Sequence, residues 1–127
     1  MLPRAFTLIE MMIVLVILSI LVAVAYPSYQ HHILRAHRET AKAALLNAAS
    51  RLEEYDLVNH TYESATLENA GIPALTEGNS YALRLENLSE SNFLVEAIPQ
   101  GKQTADECGI LSIDEVGQRH AAISDCW

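Results

Sequence analysis

One carboxylate, Glu10, stands inside an apolar run in the segment Phe6-Thr7-Leu8-Ile9-Glu10-Met11-Met12-Ile13-Val14-Leu15-Val16. From Met11 to Ala25 the only polar residue is Ser19. As a helix, the segment Phe6 to Ala25 would be about 30 Å long, which matches the hydrocarbon core of a bilayer. A charge at mid-membrane costs roughly 2.5–3.5 kcal/mol, so Glu10 is expected to have a function and a partner.

Two other interpretations of this N-terminus stay open. In the first, Arg4 and the apolar run form a secretory signal that is cut after Ala23-Val24-Ala25, a small-x-small site. Glu10 and the neighbouring Tyr26-Pro27 argue against that cleavage. In the second, the segment is a plain membrane anchor, which accounts for its length but leaves Glu10 without a partner.

The chain has 127 residues, enough for one domain, and a formal net charge of −8 that is unevenly distributed. Residues 31–51 contain four Arg or Lys and one acid, whereas the residues from Leu52 onward contain three Arg or Lys and fourteen acids. An acidic head repels phosphate backbones, so general nucleic-acid binding is disfavoured unless a local basic stripe is exposed. The basic cluster after the apolar run is suited to anionic lipid headgroups or acidic neighbouring subunits.

Two cysteines, Cys108 and Cys126, lie near the C-terminus. After an N-terminal export or membrane signal, an even pair indicates a disulfide formed outside the cytoplasm. Closing a loop of this size would stabilise the fold by about 3 kcal/mol in the chain-entropy model. Two unrelated buried thiols are the alternative, and a zinc site would need more ligands than this pair provides.

The apolar run is followed by a second helical pattern. Pro27 is expected to kink the helix, because it lacks a backbone donor and clashes with the preceding turn. Beyond it, apolar residues recur at helical spacing and form one stripe: Leu34, Ala41, Leu45, Ala48, Leu52 and Tyr55. We expect this stripe to pack on the sheet of the chain's own head.

The rest of the chain predicts a loop and then an antiparallel meander. Residues 58–79 contain Gly and Pro without periodicity, which indicates a long loop with a short helical turn near Thr66 to Ala70. Four short strands are predicted after it, around Tyr81–Leu85, Phe93–Ile98, Ile110–Ile113 and Arg119–Ile123. The predicted class is therefore α+β, with a long N-terminal helix covering a sheet of about four strands.

No catalytic or metal constellation is evident in the sequence. His31, His32 and His37 are not spaced by three or four residues, so they cannot share one helical face as ligands do. The acid pairs Glu53-Glu54, Asp106-Glu107 and Asp114-Glu115 point apart and are expected to serve solubility. The sequence thus predicts a protein that is not an enzyme and has no cofactor or metal.

The N-terminal stretch Ala5-Phe6-Thr7-Leu8-Ile9-Glu10, with the apolar run and Ala25-Tyr26-Pro27-Ser28-Tyr29-Gln30, resembles the N-terminus of type IV pilins and pseudopilins. The chain is most similar to minor pilins of the PilE type. The resemblance continues through four later segments and the terminal pair Cys126-Trp127: Ala41-Lys42-Ala43-Ala44-Leu45-Leu46, Arg51-Leu52-Glu53, Ala97-Ile98-Pro99-Gln100-Gly101 and Cys108-Gly109-Ile110-Leu111.

The resemblance implies that a prepilin peptidase cuts between Ala5 and Phe6 and that the new amine of Phe6 is methylated. The residue before the cut is usually Gly in the family, and here it is Ala5. The resemblance also implies that Glu10 pairs with the N-terminal amine of an adjacent subunit. An α-amine has a reference pKa near 7.7–8.0 and is largely protonated at neutral pH, so it is a suitable counterion for that carboxylate.

We therefore expect a leader at residues 1–5, a transmembrane and assembly helix at 6–27 and a head at 28–127. The resemblance implies a minor structural subunit that spans the inner membrane once and then enters an extracellular type IV pilus. Its partners would be other pilins, the prepilin peptidase, the inner-membrane assembly platform and the bilayer. The filament would serve adhesion, twitching motility or DNA uptake.

Three rival functions remain. One is a pilin head that binds DNA or a surface ligand, which solvent-facing cations would favour: Arg35, Lys42, Arg84, Lys102 and Arg119. The second is a pseudopilin of a type II secretion system, which shares the same N-terminus. The third is a periplasmic domain released by cleavage after Ala25.

Overall fold

The computed structural model describes residues 4–127, and its first element is the helix α1, Leu8–Asn59. The chain forms two compact units, one ending at Ile33 and the other comprising Leu34–Trp127. The first unit contains the stretch of α1 that is long and apolar enough to cross a membrane, with a mean hydropathy of 3.0 and none of it buried. Pro27 lies inside α1, and the kink expected there stays a prediction.

The second unit begins with the amphipathic half of α1. Its buried side chains are Ala41, Leu45, Ala48 and Leu52, all on the predicted stripe. Leu34 and Tyr55, the two ends of the stripe, are half-buried. These spacings place one face of the helix against the core, as the sequence predicts.

The segment between α1 and the sheet is held by its own side chains. Thr66 and Asn69 bond to each other's backbone, with the Asn69 amide donating to Thr66 Oγ1 at 3.0 Å and the Thr66 amide donating to Asn69 Oδ1. This is the predicted helical turn, and Tyr62 and Ile72 anchor the segment in the core. A short 3-10 helix, Glu77–Asn79, precedes the first strand.

The sheet has four antiparallel strands in sequence order: β1 (Tyr81–Glu86), β2 (Leu94–Pro99), β3 (Leu111–Asp114) and β4 (Arg119–His120). The register pairs Leu83 with Ala97 and Ala97 with Leu111. These three side chains are buried, together with Val95, so this face of the sheet and the α1 stripe share one core. Fold class and meander are as predicted.

The fourth strand is shorter than predicted, because the chain leaves the sheet after His120. The amide of Ala122 donates to the Cys108 carbonyl at 3.1 Å, and residues Ser124–Cys126 form a 3-10 turn. Cys108 and Cys126 form the predicted disulfide, with their Cα atoms 5.8 Å apart. The last residue, Trp127, donates its indole N–H to the His120 carbonyl at 3.0 Å.

Candidate processing and assembly site

The first turn of α1 is capped by Thr7. The amide of Glu10 donates to Thr7 Oγ1 at 3.2 Å, and the amide of Met11 donates to the Thr7 carbonyl at 3.2 Å. A Thr in this position satisfies amides that have no partner within the helix. The sequence signal for it is Thr7-x-x-Glu10, the capping-box spacing, which the sequence analysis overlooked.

The sequence-predicted cleavage position lies just outside this helix. Ala5 and Phe6 precede Thr7, are in no helix or strand, and are exposed, with Phe6 73 % accessible. An exposed, irregular backbone is what a protease requires. Residues 1–3 of the predicted leader lie outside the described part of the chain.

Glu10 sits in the first turn of α1 and is exposed. The positive end of the helix dipole favours a carboxylate at this position, by roughly 0.3–1 kcal/mol at an exposed site. Within residues 4–127, no basic side chain lies within 4 Å of Glu10. This gain from the dipole is smaller than the roughly 2.5–3.5 kcal/mol that a charge costs at mid-membrane.

Around Glu10 the helix surface is apolar and unpartnered. Ile9, Met12, Ile13, Val16 and Ile17 line a shallow apolar groove. Ser19 is the only polar residue from Met11 to Ala25. Its hydroxyl donates to the Leu15 carbonyl at 2.7 Å and therefore has a hydrogen-bond partner within the helix. The helix presents a continuous apolar surface with a single carboxylate, which suits a lipid or helix-packed environment.

A second cluster, in the unit Leu34–Trp127, ties α1 to the loop before β3. Arg38 donates from Nε to Asp106 Oδ2 at 2.9 Å and from Nη2 to Asp106 Oδ1, a bidentate pair. The Asp106 side chain is 2 % exposed and that of Arg38 16 %. The prediction that Asp106 serves solubility is therefore wrong, because its partner lies 68 positions earlier, out of reach of local sequence reasoning.

Gln103 completes this cluster. Its Nε2 amide donates to the Leu34 carbonyl and to the Tyr81 hydroxyl, both at 2.9 Å, and its Oε1 lies 3.3 Å from His37 Nδ1. Gln103 and Tyr81 are buried. Every buried side-chain polar atom in residues 4–127 has a hydrogen-bond partner, as a stable polar cluster requires.

Burial acts to raise the pKa of Asp106, but hydrogen bonds from Arg38 and from the Cys108 amide outweigh it and hold the pKa below its usual value. For Tyr81, burial is the largest cause and raises the pKa of the phenol, against the opposing hydrogen bond from Gln103. The cluster therefore holds a charged carboxylate and a neutral phenol. It fixes the position of the loop rather than performing chemistry.

The five cations proposed for DNA binding fall into two groups. Lys42 pairs with Glu39, and Arg84 with Glu86 and Glu96. Arg35, Lys102 and Arg119 are exposed and have no carboxylate within 4 Å in the described chain, although Arg119 lies 5.2 Å over the Trp127 ring. Among residues 4–127, no three His, Cys, Asp or Glu side chains converge as metal ligands.

Two family models match the sequence. One, described as the type IV minor pilin ComP, DNA uptake sequence receptor, matches residues 27–112. The other, the prokaryotic N-terminal methylation motif, matches residues 3–26. Since the first covers more than half of the chain, the protein belongs to the type IV minor pilin family ComP. Type IV pilins are structural subunits, not enzymes.

Individual relatives include a fimbrial protein and a protein of a type II secretion system. The chain is 40 % identical over 76 residues to a fimbrial protein of Neisseria meningitidis serogroup A / serotype 4A, covering 60 % of this chain and 44 % of that protein. It is 26 % identical over 91 residues to type II secretion system core protein G of Escherichia coli K12, covering 72 % and 61 % of the two chains. The matched part thus spans less than two thirds of either relative.

Solved structures show the same fold. The minor pilin PilV of Neisseria meningitidis has a TM-score of 0.62 at 17 % identity, covering 74 % of this chain and 91 % of that one. A type IV pilin from Shewanella oneidensis has a TM-score of 0.57 at 25 % identity, with 74 % and 97 % covered.

Proposed function

We propose that the protein is made as a prepilin, is cut between Ala5 and Phe6 by prepilin peptidase, is methylated on Phe6 and enters a type IV pilus as a minor subunit. In this proposal residues 1–5 are the leader, 6–27 the transmembrane and assembly helix, and 28–127 the head. The inner-membrane assembly platform and other pilins are its partners, and adhesion, twitching motility or DNA uptake are the downstream uses.

The observation that carries this proposal is the exposed carboxylate of Glu10 on an otherwise apolar helix, preceded by an exposed Ala5–Phe6 bond. The methylation-motif match over residues 3–26 supports it from the sequence. Cleavage creates a positive amine at Phe6, four residues before Glu10. Breaking a buried ion pair by removing one partner typically costs about 3–5 kcal/mol, so subunits that match amine to carboxylate are strongly favoured.

The first test is the intact mass and N-terminal sequence of the protein isolated from its native membrane. A chain that begins at methylated Phe6 supports the proposal. A chain that begins at Tyr26 establishes the secreted-domain alternative and excludes the pilin function. An uncut chain beginning at Met1 contradicts the proposed cleavage, and the variant Ala5→Gly then tests whether Ala5 is the cause.

DNA capture by the head is a second candidate, favoured by the family description as a DNA uptake sequence receptor. The exposed cations without carboxylate partners support it, and the net charge of −8 opposes it. Binding of labelled duplex DNA to the detergent-solubilised chain at low salt would test it. Loss of affinity in Arg119→Gln, with a salt dependence matching the number of phosphates contacted, is the expected result. No binding at low salt excludes it.

A pseudopilin of a type II secretion system is a third candidate, favoured by the similarity to core protein G. Deletion of the gene distinguishes the pilus subunit from the secretion pseudopilin. Loss of piliation with normal protein secretion supports the pilus, and loss of secretion with normal piliation supports the secretion system.

A further inference from the structure

The cations Arg35 and Lys102 belong to different elements that meet at one contact. Gln103 donates to the Leu34 carbonyl at 2.9 Å. Arg35 follows Leu34 on α1, and Lys102 precedes Gln103 in the 3-10 helix Gly101–Ala105. Each cation is therefore one residue from an end of the same hydrogen bond; we call Arg35 and Lys102 the neck pair.

The neck pair differs from the other basic residues nearby because, in residues 4–127, neither cation has a carboxylate within 4 Å. Arg38 forms an ion pair with Asp106, and Lys42 forms one with Glu39. The remaining acid near this end is Glu107, which is exposed and contributes to the field at Arg38. Of the seven Arg and Lys residues in Leu34–Trp127, Arg35, Lys102 and Arg119 alone have no carboxylate within 4 Å in that unit, and Arg119 stacks on Trp127.

The sequence places Arg35, one member of the neck pair, ten residues after Ala25, the last residue of the apolar run. Arg35 follows Tyr29 by six residues, and six residues span no more than about 22 Å even when fully extended. Tyr26 and Tyr29 are exposed aromatics of the kind that sit at headgroup level.

We propose that the neck pair docks the head on the membrane surface by binding the phosphate of an anionic phospholipid. The inference rests on the proposed insertion of residues 6–27 into the bilayer. The head carries a large excess of negative charge, which an anionic leaflet repels, so two exposed cations with no carboxylate within 4 Å in residues 4–127 are the groups best suited to contact lipid phosphate. Extraction into a filament would break the contact.

The test exploits the fact that Lys42 and Lys102 are the only lysines of the chain. The full-length protein is reconstituted into vesicles of phosphatidylcholine alone or mixed with phosphatidylglycerol, and a water-soluble acylating reagent labels the lysines at low salt. Because each cation near an anionic surface gains about 1 kcal/mol, labelling of Lys102 is expected to slow about fivefold in the mixed vesicles. Lys42, already paired with Glu39, is the internal reference and changes little.

Three variants and a change of salt test whether Arg35 and the lipid charge cause the slower labelling of Lys102. Arg35→Gln is expected to restore most of the Lys102 labelling rate, Arg35→Lys to retain the protection, and Arg119→Gln, a matched exposed cation, to leave it unchanged. High salt removes the protection. Equal protection by free glycerol phosphate with neutral vesicles overturns the membrane proposal in favour of a simple phosphate site, and no protection in mixed vesicles overturns it outright. Vesicle flotation distinguishes failure of the lipid contact from failure of membrane insertion. A chain that does not float with the vesicles contradicts the proposed insertion of residues 6–27 as well as the lipid contact.

Discussion

Arg38 and Asp106, 68 positions apart, form a bidentate ion pair with the carboxylate almost fully buried. The pair joins the long helix to the loop that leads into β3, and Tyr81 and Gln103 satisfy the rest of it. Within the unit Leu34–Trp127, the amphipathic half of α1 is thereby fixed to this loop by a polar contact as well as by the apolar core.

Replacing Arg38 by Ala is expected to lower the free energy of unfolding by about 3 kcal/mol, because it leaves the Asp106 charge buried without its partner. Chemical denaturation of the protein in detergent, followed by circular dichroism, measures the loss. Arg51→Ala is the matched control, since the Arg51–Glu54 pair is exposed and should contribute no more than about 1 kcal/mol. Equal losses in the two variants would show that the buried pair has no special role.

The head is expected to lose stability in acid. Because the pKa of Asp106 is lower in the folded than in the unfolded state, its contribution is complete above the unfolded value, about 3.9, and is lost as the pH falls through the folded pKa. Unfolding midpoints measured in steps below pH 5 should therefore decline. The Asp106→Asn variant should be less stable at neutral pH, and its unfolding midpoint should fall less as the pH is lowered. A fall as steep as in the unchanged protein would show that Asp106 is not the cause of the acid sensitivity.

Reducing the disulfide is expected to lower the stability by about 3 kcal/mol, since the bond closes a loop across Cys108 and Cys126, separated by 18 positions. The double variant Cys108→Ser/Cys126→Ser, compared with the oxidised protein in thermal unfolding, gives the value. Its release should also free the turn around Trp127, so the indole fluorescence should shift toward that of exposed tryptophan. An unchanged melting temperature after confirmed reduction would refute this.

Glu10→Leu is expected to leave membrane insertion intact and to abolish incorporation into the pilus, because the variant helix is more apolar but no longer offers a partner for the amine of an adjacent subunit. Membrane fractionation and immunoblotting of sheared pili measure the two effects. Ser19→Ala, which changes the other polar residue of the run, should behave like the unchanged protein. Normal amounts of the Glu10→Leu chain in filaments would end the pairing model.

Local sequence pattern was sufficient for most of the fold. The stripe from Ala41 to Leu52, the helical turn at Thr66 and the meander were predicted, because helical period, strand alternation and turn residues are properties of neighbouring positions. The Cys108–Cys126 bond was predicted from the even number of cysteines after a membrane or export signal. The predicted ends of the strands were less accurate. The predicted fourth strand, Arg119–Ile123, is longer than β4, because the chain leaves the sheet after His120 and the amide of Ala122 bonds to the Cys108 carbonyl.

Three features follow from the amino-acid sequence without the tertiary structure: the apolar N-terminal segment with its lone carboxylate, the helical stripe and the order of the strands. Each depends on residues that are close along the chain. Tertiary structure alone decided which charges are available. It buried Asp106 against Arg38, paired Arg84 with Glu96 on the neighbouring strand, and left Arg35 and Lys102 with no carboxylate within 4 Å in residues 4–127. The reason is physical: a charge is neutralised by whatever folding brings within a few ångströms, and those neighbours come from distant parts of the sequence.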